Sequence, residues 1–113
     1  MPIYVIGAVE NPRPIYSRDK LTLSRAVSIA GGIAKNGDQN RISIFRRENG
    51  STTVIEAGLE KIRADEKLDI ELKPFDIIEV TARGSAKRKY PPVAEIPDLA
   101  DTGTTRVPLV ILD

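Results

Sequence analysis

The side chains in this sequence that could do chemistry are arginines, lysines and carboxylates, because the chain has neither histidine nor cysteine. A general base would have to be an Asp, Glu or Lys, and no nucleophile lies beside one at a recognisable spacing. Disulfides and zinc sites of the Cys/His kind are excluded. We therefore predict a protein that is not an enzyme and that has no catalytic residue, no metal site and no cofactor.

Two groups of basic residues are candidate contacts for an anionic partner. Arg46 and Arg47 precede a predicted turn, where they could hold an acidic polymer such as an anionic capsule polysaccharide. The second group has no acid among its members: Arg83, Lys87, Arg88 and Lys89. It could contact phosphates of DNA or lipid, at about 1 kcal/mol per contact near an anionic surface. The alternative for both groups is a solvated strand end or a linker kept soluble by its charge.

Other polar side chains are weaker candidates. Five carboxylates could coordinate calcium, but they lack the ordered spacing and central glycine of a calcium loop, so a solvated helix face is favoured for Glu60, Asp65, Glu66, Asp69 and Glu71. Tyrosines are candidate sugar contacts, although scattered tyrosines usually lie at the edge of a core. They are Tyr4, Tyr16 and Tyr90.

The composition is that of one small globular domain. The chain has 113 residues, of which 41% are apolar, with three Tyr, two Phe and no Trp, so aliphatic side chains must build the core. The net charge of +1 gives no global electrostatic reason to bind nucleic acid or an anionic membrane, and nucleic acid is disfavoured as a partner. No run reaches the roughly 20 apolar residues of a transmembrane helix, and no signal-peptide pattern opens the sequence.

The elements that must position these residues begin with two strands. Residues 3–9 alternate as a strand around Gly7, whose small size indicates a bulge or close packing. A turn rich in proline follows, with Asn11 and Pro12 at its start. Residues 15–16 are expected to pair back as a short strand.

A short helix comes next. Thr22 is its predicted N-cap, and the helix is expected to run for about two and a half turns from Leu23. Gly31 and Gly32 end it, the first in the left-handed conformation that glycine adopts without strain. One helical face carries the apolar residues Leu23, Ala26, Val27 and Ala30. Such a short helix needs a sheet to lie on.

A hairpin and a last strand complete the domain. Residues 41–47 and 51–56 read as two strands joined at Asn49 and Gly50, which form a strong signal for a two-residue type I′ turn. A short helix and a proline turn follow, and the last strand lies within residues 72–82.

This order of elements predicts an α+β domain of the β-grasp type. We expect a small mixed sheet with one main helix across it, the last strand beside the first, and an extended C-terminal tail. The domain is placed at residues 1–82, and residues 83–113 are expected to be a proline-rich linker and an apolar tail. Residues 107–113 have no obvious partner strand, and an unpaired apolar strand is a sticky end. We therefore expect the chain to be part of something larger or to dock on a neighbour.

Three motifs give the sequence a family resemblance. They are V-x-G-x-V-x-N-P over residues 5–12, T-L-x-x-A-x-x-x-A-G-G over residues 22–32, and L-x-P-x-D-I-I-x-V over residues 72–80. Each motif alone is weak, but in this order and at these spacings they resemble the SLBB family of soluble-ligand-binding β-grasp domains. The resemblance covers residues 3–81 and is greatest to domains of bacterial polysaccharide export proteins. Its structural positions, with the hairpin turn, are Gly7, Asn11, Pro12, Thr22, Gly31, Gly32, Asn49, Gly50, Pro74 and Asp76.

The resemblance implies an assembly role in the cell envelope. Such domains lie in the periplasm or at the outer membrane, stack through contacts between copies or neighbouring domains, and help to form a conduit for capsule or exopolysaccharide. The alternative is a ligand-binding receptor for small molecules, carbohydrate or DNA taken up by competent bacteria. The chain departs from the family pattern at Arg13 and Phe75, where glycine is usual. Because positive φ is often needed at residue 75, we expect the turn there to adopt another type.

Overall fold

The computed structural model describes residues 2–16 and 19–87. Of the residues singled out above, Arg88, Lys89, Tyr90 and the apolar tail at 107–113 lie outside the described residues, as does most of the proposed linker. Within the described residues, no helix has both the length and the apolar character needed to cross a membrane.

The domain is built on a five-stranded mixed sheet. Its strands are β1 (Pro2–Gly7), β2 (Arg13–Tyr16), β3 (Gly37–Glu48), β4 (Ser51–Ala57) and β5 (Ile77–Ala82). They are arranged in the order β2-β1-β5-β3-β4, in which β1 and β5 are parallel and the other neighbours are antiparallel. The expected pairing of the last strand with the first is confirmed, and with it the β-grasp architecture.

Two helices of the described residues lie on one face of the sheet. They are α1 (Leu23–Ile29) and α2 (Leu59–Ala64), and a 3-10 turn follows at Glu66–Leu68. With seven residues, α1 has about two turns, slightly fewer than expected. Its predicted apolar face is buried, and both helices share one core with alternate residues of the central strands. That core includes Val5, Leu23, Ala26, Val27, Ala30, Ile42, Ile44, Leu59, Ile62, Ile78 and Val80.

A second, smaller apolar cluster lies on the other face of the sheet. Tyr4, Phe45 and Ile77 are buried there, with Ile6 packed against them. Tyr4 and Phe45 are both register partners of Ile77, so the three side chains form a row across β1, β5 and β3. We call this side, opposite the helices, the open face.

Glycine is required where the first and last strands meet. Gly7 has φ +86°, and a Cβ atom built there would lie 2.4 Å from the carbonyl oxygen of Val80. A side chain would therefore collide with the backbone of β5, which confirms the close packing expected at this position. The predicted turn is also confirmed, since Asn49 and Gly50 have φ values of 52° and 81°, as a type I′ turn needs.

The start of α1 is as predicted, but its cap is not. Thr22 occupies the N-cap position, yet its side chain makes no capping hydrogen bond. The Asp69 carboxylate instead accepts from the backbone N–H and the hydroxyl of Ser24, at 3.2 and 2.5 Å. The N–H of Leu23 donates to the carbonyl of Ile70 at 2.9 Å. The segment that runs past the helix terminus thus satisfies donors that a local cap would otherwise serve.

The turn before β5 corrects the expectation for residue 75. The N–H of Asp76 donates to the carbonyl of Lys73 at 3.1 Å, and Phe75 adopts φ 69°. Pro74 followed by a residue of positive φ is the pattern of a type II turn. The turn therefore keeps the backbone that glycine would adopt, because the closing hydrogen bonds fix it despite the aromatic side chain.

Candidate functional site

The first candidate for an anionic contact, Arg46, is engaged within the domain. Its Nε and terminal nitrogen donate to the two oxygens of Asp76 at 3.1 and 2.8 Å, and the same nitrogen donates to the carbonyl of Glu71 at 3.1 Å. The side chains of Arg46 and Asp76 are only 11% and 1% exposed. The hydrogen bond to Asp76 raises the pKa of Arg46 against the lowering effect of burial. Arg46 thus ties β3 to the last turn through its contacts with Asp76 and Glu71.

Arg47 is placed apart from Arg46. Because successive side chains of a strand point to opposite faces, Arg47 lies on the open face, where it is exposed. The neighbouring Glu48 accepts from Lys73 Nζ at 2.9 Å, and this contact lowers the pKa of the Glu48 carboxyl. The structure therefore does not bring Arg46 and Arg47 together into one cationic site.

The second basic group is only partly within the described residues. Arg83 is exposed, while the ammonium of Lys87 forms an ion pair with Glu56 of β4. The other two members, Arg88 and Lys89, lie outside the described residues. Of this group, the structure therefore describes Arg83, which is exposed, and Lys87, whose charge is balanced by Glu56.

The acidic stretch does not form a metal centre in the described part of the chain. No three Asp or Glu side chains come together there in an arrangement that could hold a metal ion. Asp69 caps α1, and Asp65 accepts from the N–H of Lys67 at 3.0 Å. Two carboxylates of this segment thus have structural roles, Asp69 at the start of α1 and Asp65 in the 3-10 turn.

A cleft lies where β1 and β5 end. Its volume is about 460 Å³, and its walls combine small residues with polar side chains. The small residues are Gly7, Ala8, Ala34, Ala82 and Ala86, and the polar ones are Asn36, Glu79, Thr81 and Ser85. Sequence reasoning missed this cleft because its residues come from separate segments and form no motif.

The two edges of the sheet differ in their capacity to accept another strand. On β2, Pro14 lies opposite Tyr4, whose N–H donates to Asp76 O at 2.9 Å and so faces β5. The nitrogen of Pro14 therefore points outward, where it offers no hydrogen. On β4, the two-residue turn makes Glu48 and Ser51 a hydrogen-bonded pair, so alternate residues turn their backbone groups away from β3. These are Thr52, Val54 and Glu56.

The edge of β4 is accordingly the more receptive one. It has seven residues and no proline, and most of them are exposed. No strand within residues 2–16 and 19–87 pairs with its outer side. Such an edge is a template for strand addition.

In the described part of the chain, the fold is a β-grasp domain with no further strand on the outer edge of β4 and with a polar cleft where β1 and β5 end. The family model for the SLBB domain matches residues 2–56. The match confirms, over this segment, the resemblance to the SLBB domain family that the sequence motifs predicted. The match spans the first two motifs and both strands of the hairpin except the last residue of β4. No curated protein matches the chain.

Proposed function

We propose that the chain is a non-catalytic assembly module of an export protein for capsule or exopolysaccharide, located in the periplasm or at the outer membrane. The SLBB domain and the similarity of its motifs to those of export proteins support this role. The observation that carries this role is the outer edge of β4. A module that stacks with copies of itself needs a surface through which every copy can make the same contact.

The mechanism is addition of a strand to the sheet. The outward backbone groups of Thr52, Val54 and Glu56 supply the hydrogen bonds, and the Pro14 edge is unsuited to the same contact. The apolar residues 107–113, whose sequence predicts a strand, supply the incoming segment from a neighbouring copy. Because donor and acceptor surfaces differ, the contact can propagate from copy to copy into a ring or stack.

Light scattering over a range of protein concentrations tests this proposal. We expect the chain to self-associate and a variant lacking residues 104–113 to remain monomeric. Val54→Lys places a charge on the edge of β4 and should weaken association, because Val54 is 40% exposed and its loss leaves the core intact. The matched control is Tyr16→Lys, at a 67% exposed position on the other edge.

Association that persists after the deletion and in Val54→Lys would contradict the strand-addition mechanism. Retention of the intact native protein in the cytoplasmic fraction would contradict its envelope location. The non-catalytic character would be overturned by a turnover in the purified chain that disappears when one carboxylate is replaced.

The cleft at the end of β1 and β5 favours a second candidate function, that of a ligand-binding SLBB receptor. Its volume suits a small molecule better than a duplex. A DNA-uptake role would depend on the basic group at residues 83–89, of which Lys87 is already paired with Glu56. Titration with double-stranded DNA at low salt distinguishes a small-molecule receptor from a DNA receptor. Binding to DNA would weaken steeply as salt is added.

A further inference from the structure

We propose that residues 88–93, with the sequence R-K-Y-P-P-V, lie across the open face of their own sheet and cover the apolar side chains there. The proposal concerns contacts within one chain, so it does not depend on the proposed export function. It assigns the start of the expected linker to the domain and leaves the apolar residues 107–113 for a neighbouring copy.

An apolar row crosses the open face from one edge of the sheet to the other. The strand registers align one residue from each strand: Pro14, Tyr4, Ile77, Phe45 and Val54. The three central members are only 2–4% exposed, although the helices of the described residues pack on the opposite side. A sheet face that is open to water is usually polar. The apolar row therefore indicates a face that is covered.

The last described residues lie on this open face. After β5 the chain reverses in a turn, in which the N–H of Ser85 donates to the carbonyl of Ala82 at 3.1 Å. The carbonyl of Ser85 accepts from the Arg41 guanidinium at 2.7 Å. Lys87 then forms an ion pair with Glu56. Because Arg41 and Glu56 alternate with core residues of β3 and β4, they belong to the open face. The chain thus passes over β3 to β4 while it moves toward the turn that joins these strands.

The apolar row lies directly ahead of this exit. Lys87 is paired with Glu56, which is the register partner of Ser43. The next open-face pair along β3 and β4 is Phe45 with Val54, two members of the row. From β4 to β2 the five strands span about 19 Å, at about 4.8 Å between neighbours. Six residues in a polyproline II conformation also extend about 19 Å, at about 3.1 Å each. Residues 88–93 are therefore long enough to cross the whole row.

The sequence of this segment suits the face of a sheet rather than its edge. Pro91 and Pro92 have no backbone N–H, so they cannot continue a ladder along the outer edge of β4. Adjacent prolines favour the polyproline II conformation, which docks on surfaces lined by aromatic side chains. Tyr4 and Phe45 supply such a surface, and a segment packed on them accounts for their low exposure. Tyr90, just before the prolines, adds the largest apolar side chain of the segment.

The experiment is an NMR measurement of nuclear Overhauser contacts in the full chain. We expect contacts between the ring of Tyr90 and the side chains of Phe45 and Ile77. A mixture of isotope-labelled and unlabelled chains shows whether these contacts lie within one chain, as expected, or between two chains. Contacts only between chains would assign the open face to a second copy. That result, contacts from residues 107–113 instead, or no contact from residues 88–93 would each overturn the proposal.

Two variants provide a matched comparison, since each replaces a large apolar side chain beyond Lys87 by serine. Tyr90→Ser should lower the equilibrium constant for folding about tenfold, as expected when a ring loses part of its apolar burial. Leu109→Ser should change it by no more than about twofold. Chemical denaturation at a concentration where the chain is monomeric measures both, and equal effects would contradict the proposal. If Tyr90→Ser fails to fold, the NMR contacts still decide, because they are measured on the unaltered chain.

The assembly function is tested separately, because it uses residues 104–113 and the edge of β4. A chain that shows the Tyr90 contacts but stays monomeric at all concentrations would support the covered face and refute the assembly. A chain that self-associates through β4 without those contacts would do the reverse.

Discussion

The guanidinium of Arg46 and the carboxylate of Asp76 form a two-bond ion pair that ties the middle of the sheet to the turn before its last strand. Asp76 also accepts from the N–H of Lys73 at 2.8 Å, and its carbonyl accepts from Tyr4 at 2.9 Å. Residue 76 therefore connects β3, β5 and β1. A buried carboxylate with three hydrogen bonds is satisfied only while all of these partners remain.

Replacing Arg46 by Met should be strongly destabilising. The variant leaves the Asp76 carboxylate buried without its cation, a situation that costs about 3–5 kcal/mol. Chemical denaturation measures the change in the free energy of unfolding. The control Arg47→Met removes an exposed cation from the adjacent position and should change stability by no more than about 0.5 kcal/mol. Similar losses in the two variants would show that the ion pair does not stabilise the fold.

Removal of the Asp69 carboxylate should destabilise α1. Asp69→Ala takes away the acceptor for the N–H and hydroxyl of Ser24, and a lost cap of this kind costs about 1 kcal/mol. Thr22→Ala is the control, because Thr22 holds the N-cap position without capping through its side chain. Thermal unfolding should show a lower midpoint for Asp69→Ala than for Thr22→Ala, and the opposite order would contradict the assignment of the cap.

The contact between Lys73 and Glu48 should be visible as a pH effect. The ammonium lowers the pKa of the Glu48 carboxyl in the folded state, so the contact stabilises the fold above the unfolded value of about 4.3. That stabilisation is lost as the pH falls through the folded value. An NMR titration of Glu48 should give a midpoint below the ordinary one, and Lys73→Met should bring it back. An unchanged midpoint in Lys73→Met would exclude the contact as the cause.

Gly7 should tolerate no side chain. Gly7→Ala combines a positive φ with a Cβ atom 2.4 Å from the Val80 carbonyl oxygen, so β1 and β5 would have to separate. We expect a loss of about 3 kcal/mol or failure to fold, because an extra carbon in a packed site forces the backbone to shift. Gly84→Ala is the matched control, since Gly84 has φ +79° with open space around its Cβ, and it should cost only about 1 kcal/mol of backbone strain. Equal losses in denaturation would mean that the conformation alone requires glycine at residue 7.

Features specified by neighbouring residues were predictable from the sequence. Asn49 and Gly50 carry their own turn preference, and the start of α1 at Leu23 follows from the spacing of apolar residues. Contacts between distant segments were not predictable, because they depend on the register of the whole sheet. Ser24 and Asp69 are 45 residues apart, and Arg46 and Asp76 are 30 apart. The charge of Arg46 after Ile42 and Ile44 was nevertheless a signal that a buried partner was needed.

The cleft illustrates a different limit. Alanine and glycine carry no recognisable binding pattern, and those that form its floor come from β1, from the segment before β3 and from the end of β5. The cleft exists because these residues lack large side chains. Its position is therefore apparent only once the strands are placed in the fold. Candidate sites were therefore sought among the arginines, whereas the cleft is lined by other residues.

Phe75 occupies a turn position where glycine should be more stable. Its positive φ of 69° is strained for an aromatic residue, and its side chain is 47% exposed, so it contributes only part of its apolar area to the domain. Phe75→Gly should relieve about 1–3 kcal/mol of backbone strain, offset by about 0.5–1 kcal/mol of glycine entropy. We therefore expect this variant to be about 1 kcal/mol more stable in chemical denaturation. Phe75→Ala keeps the strain while removing the ring, so it should be no more stable than the unaltered chain. If the glycine variant proved less stable than the unaltered chain, the ring would be packing against the turn more strongly than its exposure indicates.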